Sequence, residues 1–290
     1  MIDLKLKILI KVFWTIAFLF GPSLLSDSNK TIYHSKTWTI VDKQHISNSF
    51  QNKEVLIIGE EHNDQNGHGE KLELLKFLYS QFPYTISMEM FESDGQDILD
   101  EYISELIPEK TFLRDIRLWS NYQDYRPVVE FAKKNKLRII AANTPSRYVK
   151  IVSQSGLNKL KELPENSFKF LPPLYTVEAF FQKAYQEKFY QTIQKHSGHF
   201  LGLENMFQAQ QLWDASMSDA IAKQVLQGKK VIHINGRFHS DEFMGVSFRL
   251  KRMKIPIITI SMFPLTKNVE IDNKFAKYAD YIYITDRKEK

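Results

Sequence analysis

Two apolar, β-branched runs in this chain end in the same way. Val55-Leu56-Ile57-Ile58 leads into Gly59-Glu60-Glu61-His62, and Val231-Ile232-His233-Ile234-Asn235 leads into Gly236-Arg237-Phe238-His239. Continuous apolar runs of this kind read as strands buried on both faces, as in a parallel sheet. Each run is followed by Gly, two residues and His, and in open α/β sheets ligands bind in the crevice outside the carboxyl ends of the strands. One device used twice, 177 positions apart, predicts a built site. A third run, Thr85-Ile86-Ser87-Met88-Glu89-Met90-Phe91, places Glu89 inside an apolar strand. A carboxylate there is costly unless it is paired.

The rest of the chain alternates in the same manner. Leu72, Leu75, Leu78 and Phe82 form a helical stripe after Gly67. Residues 96–106 and 127–136 read as helices, with Pro127 as a first-turn residue. Strand 137–143 follows, then a helix opened by Pro145 and ended by Gly156. A long helix over 205–226 puts Trp213, Met217, Ala220, Ile221 and Val225 on one face. Strand 231–235, helix 241–253 and strand 257–260 complete the alternation. Residues 31–33, 37–41 and 281–284 read as short edge strands, the first two in a lead-in over 27–50. The fold class is therefore α/β: a largely parallel central sheet, helices on both faces and a helical, aromatic-rich insertion at 157–205. One domain over 27–290 is expected.

Composition narrows the function classes. With 43% apolar and 25% charged residues the chain is globular in type. Its net charge of +5 falls to +3 without residues 1–26, too mild for a nucleic-acid partner. Charge runs such as Glu70-Lys71-Leu72-Glu73 read as solvated helix faces. Residues 1–26 carry Lys5, Lys7 and Lys11, then an apolar run to Phe20 and the breaker Gly21-Pro22. This is the pattern of a secretory signal, with an uncleaved N-terminal anchor as the other reading. No cysteine is present, which removes a thiol nucleophile, thiolate ligands and a lipid anchor on cysteine. Phosphate-loop, dinucleotide and serine-elbow motifs are absent from the sequence.

Glu60, His62, Glu89 and His239 form a nitrogen and oxygen donor set suited to Zn, Mn or Co. Such a metal acidifies bound water for hydrolysis. Each residue has a plainer reading, since a histidine at a strand end is often only a hydrogen-bonded core residue. His68, six positions after His62, reads equally as a site residue or a helix-start residue, and His233 reads as a buried structural histidine. In the insertion, Tyr175, Phe180, Phe181, Tyr185, Phe189 and Tyr190 crowd one stretch. They are either core or a flat apolar platform for a planar ligand such as a porphyrin. The second reading needs cations for propionates, available from Arg147, Lys188 and Arg237. It also needs an axial atom, available from Tyr175, Tyr185, Tyr190, His196 or His199.

Taken in order, several of these pieces resemble one family. They are Ile57-Ile58-Gly59-Glu60-Glu61-His62, Met88-Glu89-Met90-Phe91, Trp119 with Tyr125-Arg126-Pro127, Ala142-Asn143-Thr144-Pro145, Phe207-Gln208-Ala209-Gln210 with Trp213-Asp214, and Gly236-x-x-His239. Over roughly residues 35–265 the chain resembles the ChaN-type haem-binding uptake proteins. These sit in a superfamily with the Tiki metalloproteases, the TraB proteins and the erythromycin esterases. The resemblance implies an exported envelope protein that binds haem for iron acquisition, pairs as a homodimer and works with an outer-membrane haem receptor. The candidate haem-binding set in this chain is His62, His68, Arg147, Tyr185, Tyr190 and His239. The metalloprotease relatives imply the alternative, a metal-dependent hydrolase built on Glu60, His62, Glu89 and His239.

Overall fold

The computed structural model describes residues 30–197, 202–265 and 271–286. The segment 1–26 and the side chains of His196 and His199 lie outside the described residues. The strands are β1 Thr31–His34, β2 Thr39–Val41, β3 Val55–Glu60, β4 Thr85–Glu92, β5 Ile139–Asn143, β6 Val231–Gly236, β7 Ile257–Leu265 and β8 Tyr281–Asp286. They form one sheet in the order β2-β1-β8-β7-β3-β6-β4-β5. From β8 to β5 every pairing is parallel, and only β1 and β2 pair antiparallel.

The helices are α1 Lys43–Gln51, α2 Gln65–Tyr79, α3 Gln96–Ile103, α4 Glu109–Asp115, α5 Tyr122–Lys134, α6 Ser146–Ser155, α7 Tyr175–Ala179, α8 Lys183–Ser197, α9 Leu203–Leu226 and α10 Gly245–Arg252. They cover both faces of the sheet. Leu56 and Ile58 of β3 enter a core built with α1, α2, α3 and α5. Val55 and Ile57 enter a second core with α9 and α10. This two-sided burial is why β3 reads as an unbroken apolar run.

Some boundaries differ from the sequence reading, each for a physical reason. The lead-in contains α1, whose start is capped by the Asp42 carboxylate accepting from the His45 N–H. β8 is not an edge strand, because β1 adds to its free side and leaves β2 at the edge. Pro127 lies inside α5 rather than in its first turn. The segment 241–253 is not one helix: Glu242 and Phe243 take positive φ, and α10 begins only after them.

Candidate functional site

The register of β3 against β6 aligns Glu60 with Gly236. The two strand ends therefore leave the sheet side by side, and His62 and His239 line one cleft of about 990 Å³. Its opposite wall is α8, through Ala184, Glu187, Lys188 and Gln191. Gly59 and Gly236 both lie within their strands. Their lack of a side chain makes room for protein atoms. A Cβ on Gly59 would meet the Ser240 hydroxyl at 2.8 Å, and one on Gly236 would meet His62 Nε2 at 2.6 Å.

Under His62 lies a buried network. Glu60 receives the ammonium of Lys71, which is fully buried, and accepts from the Tyr125 hydroxyl at 2.8 Å. Lys71 also donates to His68 Nδ1 at 3.0 Å, and His68 Nε2–H donates to the His62 carbonyl at 3.1 Å. These partners leave His68 neutral, and burial, then the Lys71 charge, lower its pKa. Burial pushes the Glu60 carboxyl up, but Lys71 and the neighbouring imidazoles outweigh it and bring it to about 2.

This network fixes the His62 tautomer. With Tyr125 donating to Glu60, the Tyr125 oxygen accepts from His62 Nδ1–H at 3.0 Å, and Glu60 Oε1 lies 3.4 Å from the same nitrogen. The ring stands edge-on to Trp119, with centroids 4.9 Å apart. Nε2 then carries the free lone pair, and it makes no hydrogen bond among the described residues. The side chain is 37% exposed.

His239 is held differently. Its Nδ1–H donates to Asp214 Oδ1 at 2.6 Å, and its Nε2 faces Glu89 Oε1 at 3.5 Å. Burial works against a charged ring, yet Glu89 and Asp214 together raise its pKa to about 10. Glu89 also accepts from the Gly236 N–H at 2.6 Å. Burial pushes Glu89 up, and His239 more than reverses this, to about 2. The carboxylate inside the apolar strand is thus paired. Gln210 donates to the Tyr185 hydroxyl at 2.9 Å and lies 3.1 Å from His239 Nδ1.

The signs of these shifts predict a stability maximum. The His239 contribution is complete below its ordinary 6.5 and is lost as pH rises through about 10. The Glu60 and Glu89 contributions are complete above 4.5 and are lost as pH falls toward about 2. Burial lowers the pKa of His233 and His68, so these two lose stability as pH falls below 6.5. Urea midpoints followed across pH will therefore be highest in a window around 6.5 and decline on both sides. A profile that keeps rising above that window would contradict the charged state of His239.

Four of the residues singled out in the sequence meet here: Glu60, His62, Glu89 and His239. They do not converge as a metal donor set. Glu60 is turned to Lys71, and Glu89 to Gly236 and His239. Among the described residues, no group of three or more His, Cys, Asp or Glu is placed to hold a metal ion.

The haem-binding set is divided by the fold. His68 sits beneath the site, 7% exposed. Tyr185 is buried, and burial and then Asp214 push its phenol well above the usual range. Tyr190 donates to Glu204 at 2.7 Å, and burial and that bond raise it to about 12. Arg147 lies on α6, paired with Asp94 and away from the His62 cleft. His233 is fully buried and bonded to Ser87 at 2.9 Å. The aromatic residues Tyr185, Phe189 and Phe207 form a core cluster that seats α8.

Lys71, Tyr125, Gln210 and Asp214 contact the cleft residues, and side-chain type alone did not single them out. Three of them lie in the Tyr125-Arg126-Pro127 and Gln-Ala-Gln…Trp-Asp pieces. Lys71 was hidden in a charge run that reads as solvated, although it is fully buried.

The sheet order and the paired strand ends define an α/β protein with a walled cleft outside the strand carboxyl ends, where open α/β sheets place their ligands. The chain belongs to the haem-binding uptake family ChaN of the Tiki superfamily, whose model matches residues 46–250. The structure of ChaN from Campylobacter jejuni, described as binding haem cofacially, is similar with a TM-score of 0.69. It is 17% identical, and the match covers 88% of this chain and 96% of that one. The type III effector HopBA1 is similar with a TM-score of 0.50 at 10% identity, over 85% of this chain and 94% of that one. In sequence, the chloroplastic protein RETICULATA-RELATED 5 of Arabidopsis thaliana is 22% identical over 130 residues. That match takes in 42% of this chain and only 18% of the plant protein.

Proposed function

We propose that this protein binds haem in the strand-end cleft with His62 Nε2 as an axial ligand, and that it serves haem or iron uptake. One observation carries this reading. Glu60 and Tyr125 hold Nδ1 and leave Nε2 as an open donor on the cleft wall. A histidine that coordinates a metal is ordinarily oriented by such a partner on its other nitrogen. The residues present fit the group. Phe238, Met244 and Ala184 supply apolar surface, and Arg237 and Lys188, which face Glu61, Asp241 and Glu242, are the cations that haem carboxylates would share. Haem, when bound, supplies an iron centre with an intense Soret band. His239, with both nitrogens engaged by carboxylates, acts as a charged brace for the floor.

The match to the haem-binding uptake family supports the same reading. Export through residues 1–26, pairing of two copies and delivery through an outer-membrane receptor belong to this proposal as well. Titrating haem into the purified protein tests its centre. Saturation with a shifted Soret band is expected, and a spectrum that remains that of free haem would sink the reading.

Gly236→Ala probes the cleft floor without removing a donor atom. The added methyl would lie 2.6 Å from His62 Nε2 and must displace the ring. Haem affinity will fall roughly 10-fold or more while the circular dichroism spectrum is retained. Unchanged affinity would remove His62 Nε2 from the site.

A further inference from the structure

Helix α8 separates two clefts. Its Ala184, Glu187, Lys188 and Gln191 face the strand ends, whereas Phe189 and Ile193 face a second cleft of about 710 Å³ between α6, α8 and α9. That volume is within the roughly 300–1,000 Å³ of small-molecule sites. The floor is apolar: Val149, Phe189, Ile193, Met206, Ala209 and Trp213. The rim is cationic: Arg117, Arg147 and Lys150. Two of these cations already have carboxylate partners, Arg117 with Glu92 and Arg147 with Asp94. Lys150 is exposed and has no carboxylate partner among the described residues.

An apolar floor with a surplus cation at its mouth matches one ligand chemistry, an elongated apolar body ending in a single anion. No imidazole or phenol lines this cleft among the described residues, so it does not repeat the donor set of the first. We propose that the second cleft binds a fatty carboxylate, with its chain along Val149, Phe189 and Trp213 and its head at Lys150 and Arg147. The inference is independent of haem binding at His62.

Sodium oleate is the probe, kept below its micelle concentration. Equilibrium dialysis should give one saturable site per chain, and Trp213 emission should change with the same midpoint. Lys150→Glu, at an exposed position, should weaken binding about 10-fold, equivalent to about 1.4 kcal/mol. Ser153→Trp, which fills the mouth from α6, should abolish it. Oleyl alcohol, with the same chain and no charge, should bind the unaltered protein at least about 10-fold more weakly. Equal binding of oleate and oleyl alcohol overturns the proposal, and so does full oleate affinity in Lys150→Glu. Loss of the oleate site on saturation with haem also overturns it, because the cleft would then belong to haem.

Discussion

Replacing His62 by alanine will abolish the shifted Soret band of the haem complex and lower haem affinity more than about 100-fold. The magnitude follows from the chemistry. Loss of only the outer partner of a metal-bound histidine already costs roughly 10–100-fold, and His62→Ala removes the donor atom itself. Tyr125→Phe tests the orientation separately. It deletes the oxygen that accepts from His62 Nδ1 at 3.0 Å and leaves Nε2 in place. Its loss will lie in the outer-partner range, with a retained but altered Soret band. His62 is 37% exposed, so neither the far-ultraviolet spectrum nor the thermal midpoint should shift much in His62→Ala. A full-strength, shifted Soret band in that variant would exclude His62 as the ligand and return the choice to the other cleft residues.

The second large effect concerns stability. Lys71→Met will destabilise the fold by about 3–5 kcal/mol, the cost of leaving one member of a buried ion pair alone. Lys71 is 0% exposed and Glu60 is 4% exposed. Removing the ammonium also removes the main force that holds Glu60 near 2. The Glu60 pKa then rises toward its unfolded value, and its contribution to stability at neutral pH shrinks. The double variant Glu60→Gln, Lys71→Met should recover most of the loss, because no uncompensated charge remains. Urea unfolding of the two single variants and the double measures the coupling directly. Additive losses would mean that the two groups do not act as a pair.

These two residues also mark the limit of what pattern reading can reach. His62 is legible because strand, glycine and histidine occur in one local window, and the same window recurs at His239. Lys71 is not legible, because Glu70-Lys71-Leu72-Glu73 has the composition of a solvated helix face. Its burial comes from α2 lying across β7 and β8, beside the end of β3, so that Lys71 meets Glu60, 11 positions earlier in the chain. Asp214 is a similar case. It sits mid-helix in α9, and only the packing of α9 near the end of β6 brings it to His239. Tyr185 is the converse case. Its residue type suits an axial ligand, yet tertiary packing buries it and raises its pKa.

By itself the sequence determined the α/β class, the buried parallel strands and the strand ends that line the cleft. Those features depend on periodicities of two and 3.6 residues and on residues close together in the chain. The tertiary structure alone decided the state of each side chain there. It turned Glu60 and Glu89 toward cations rather than toward a shared metal, charged His239 and left His62 with one open nitrogen. The physical reason is that a donor atom's availability depends on which distant groups desolvate it and which hydrogen-bond to it. Those neighbours are set by how helices dock on the sheet, and no local pattern encodes that.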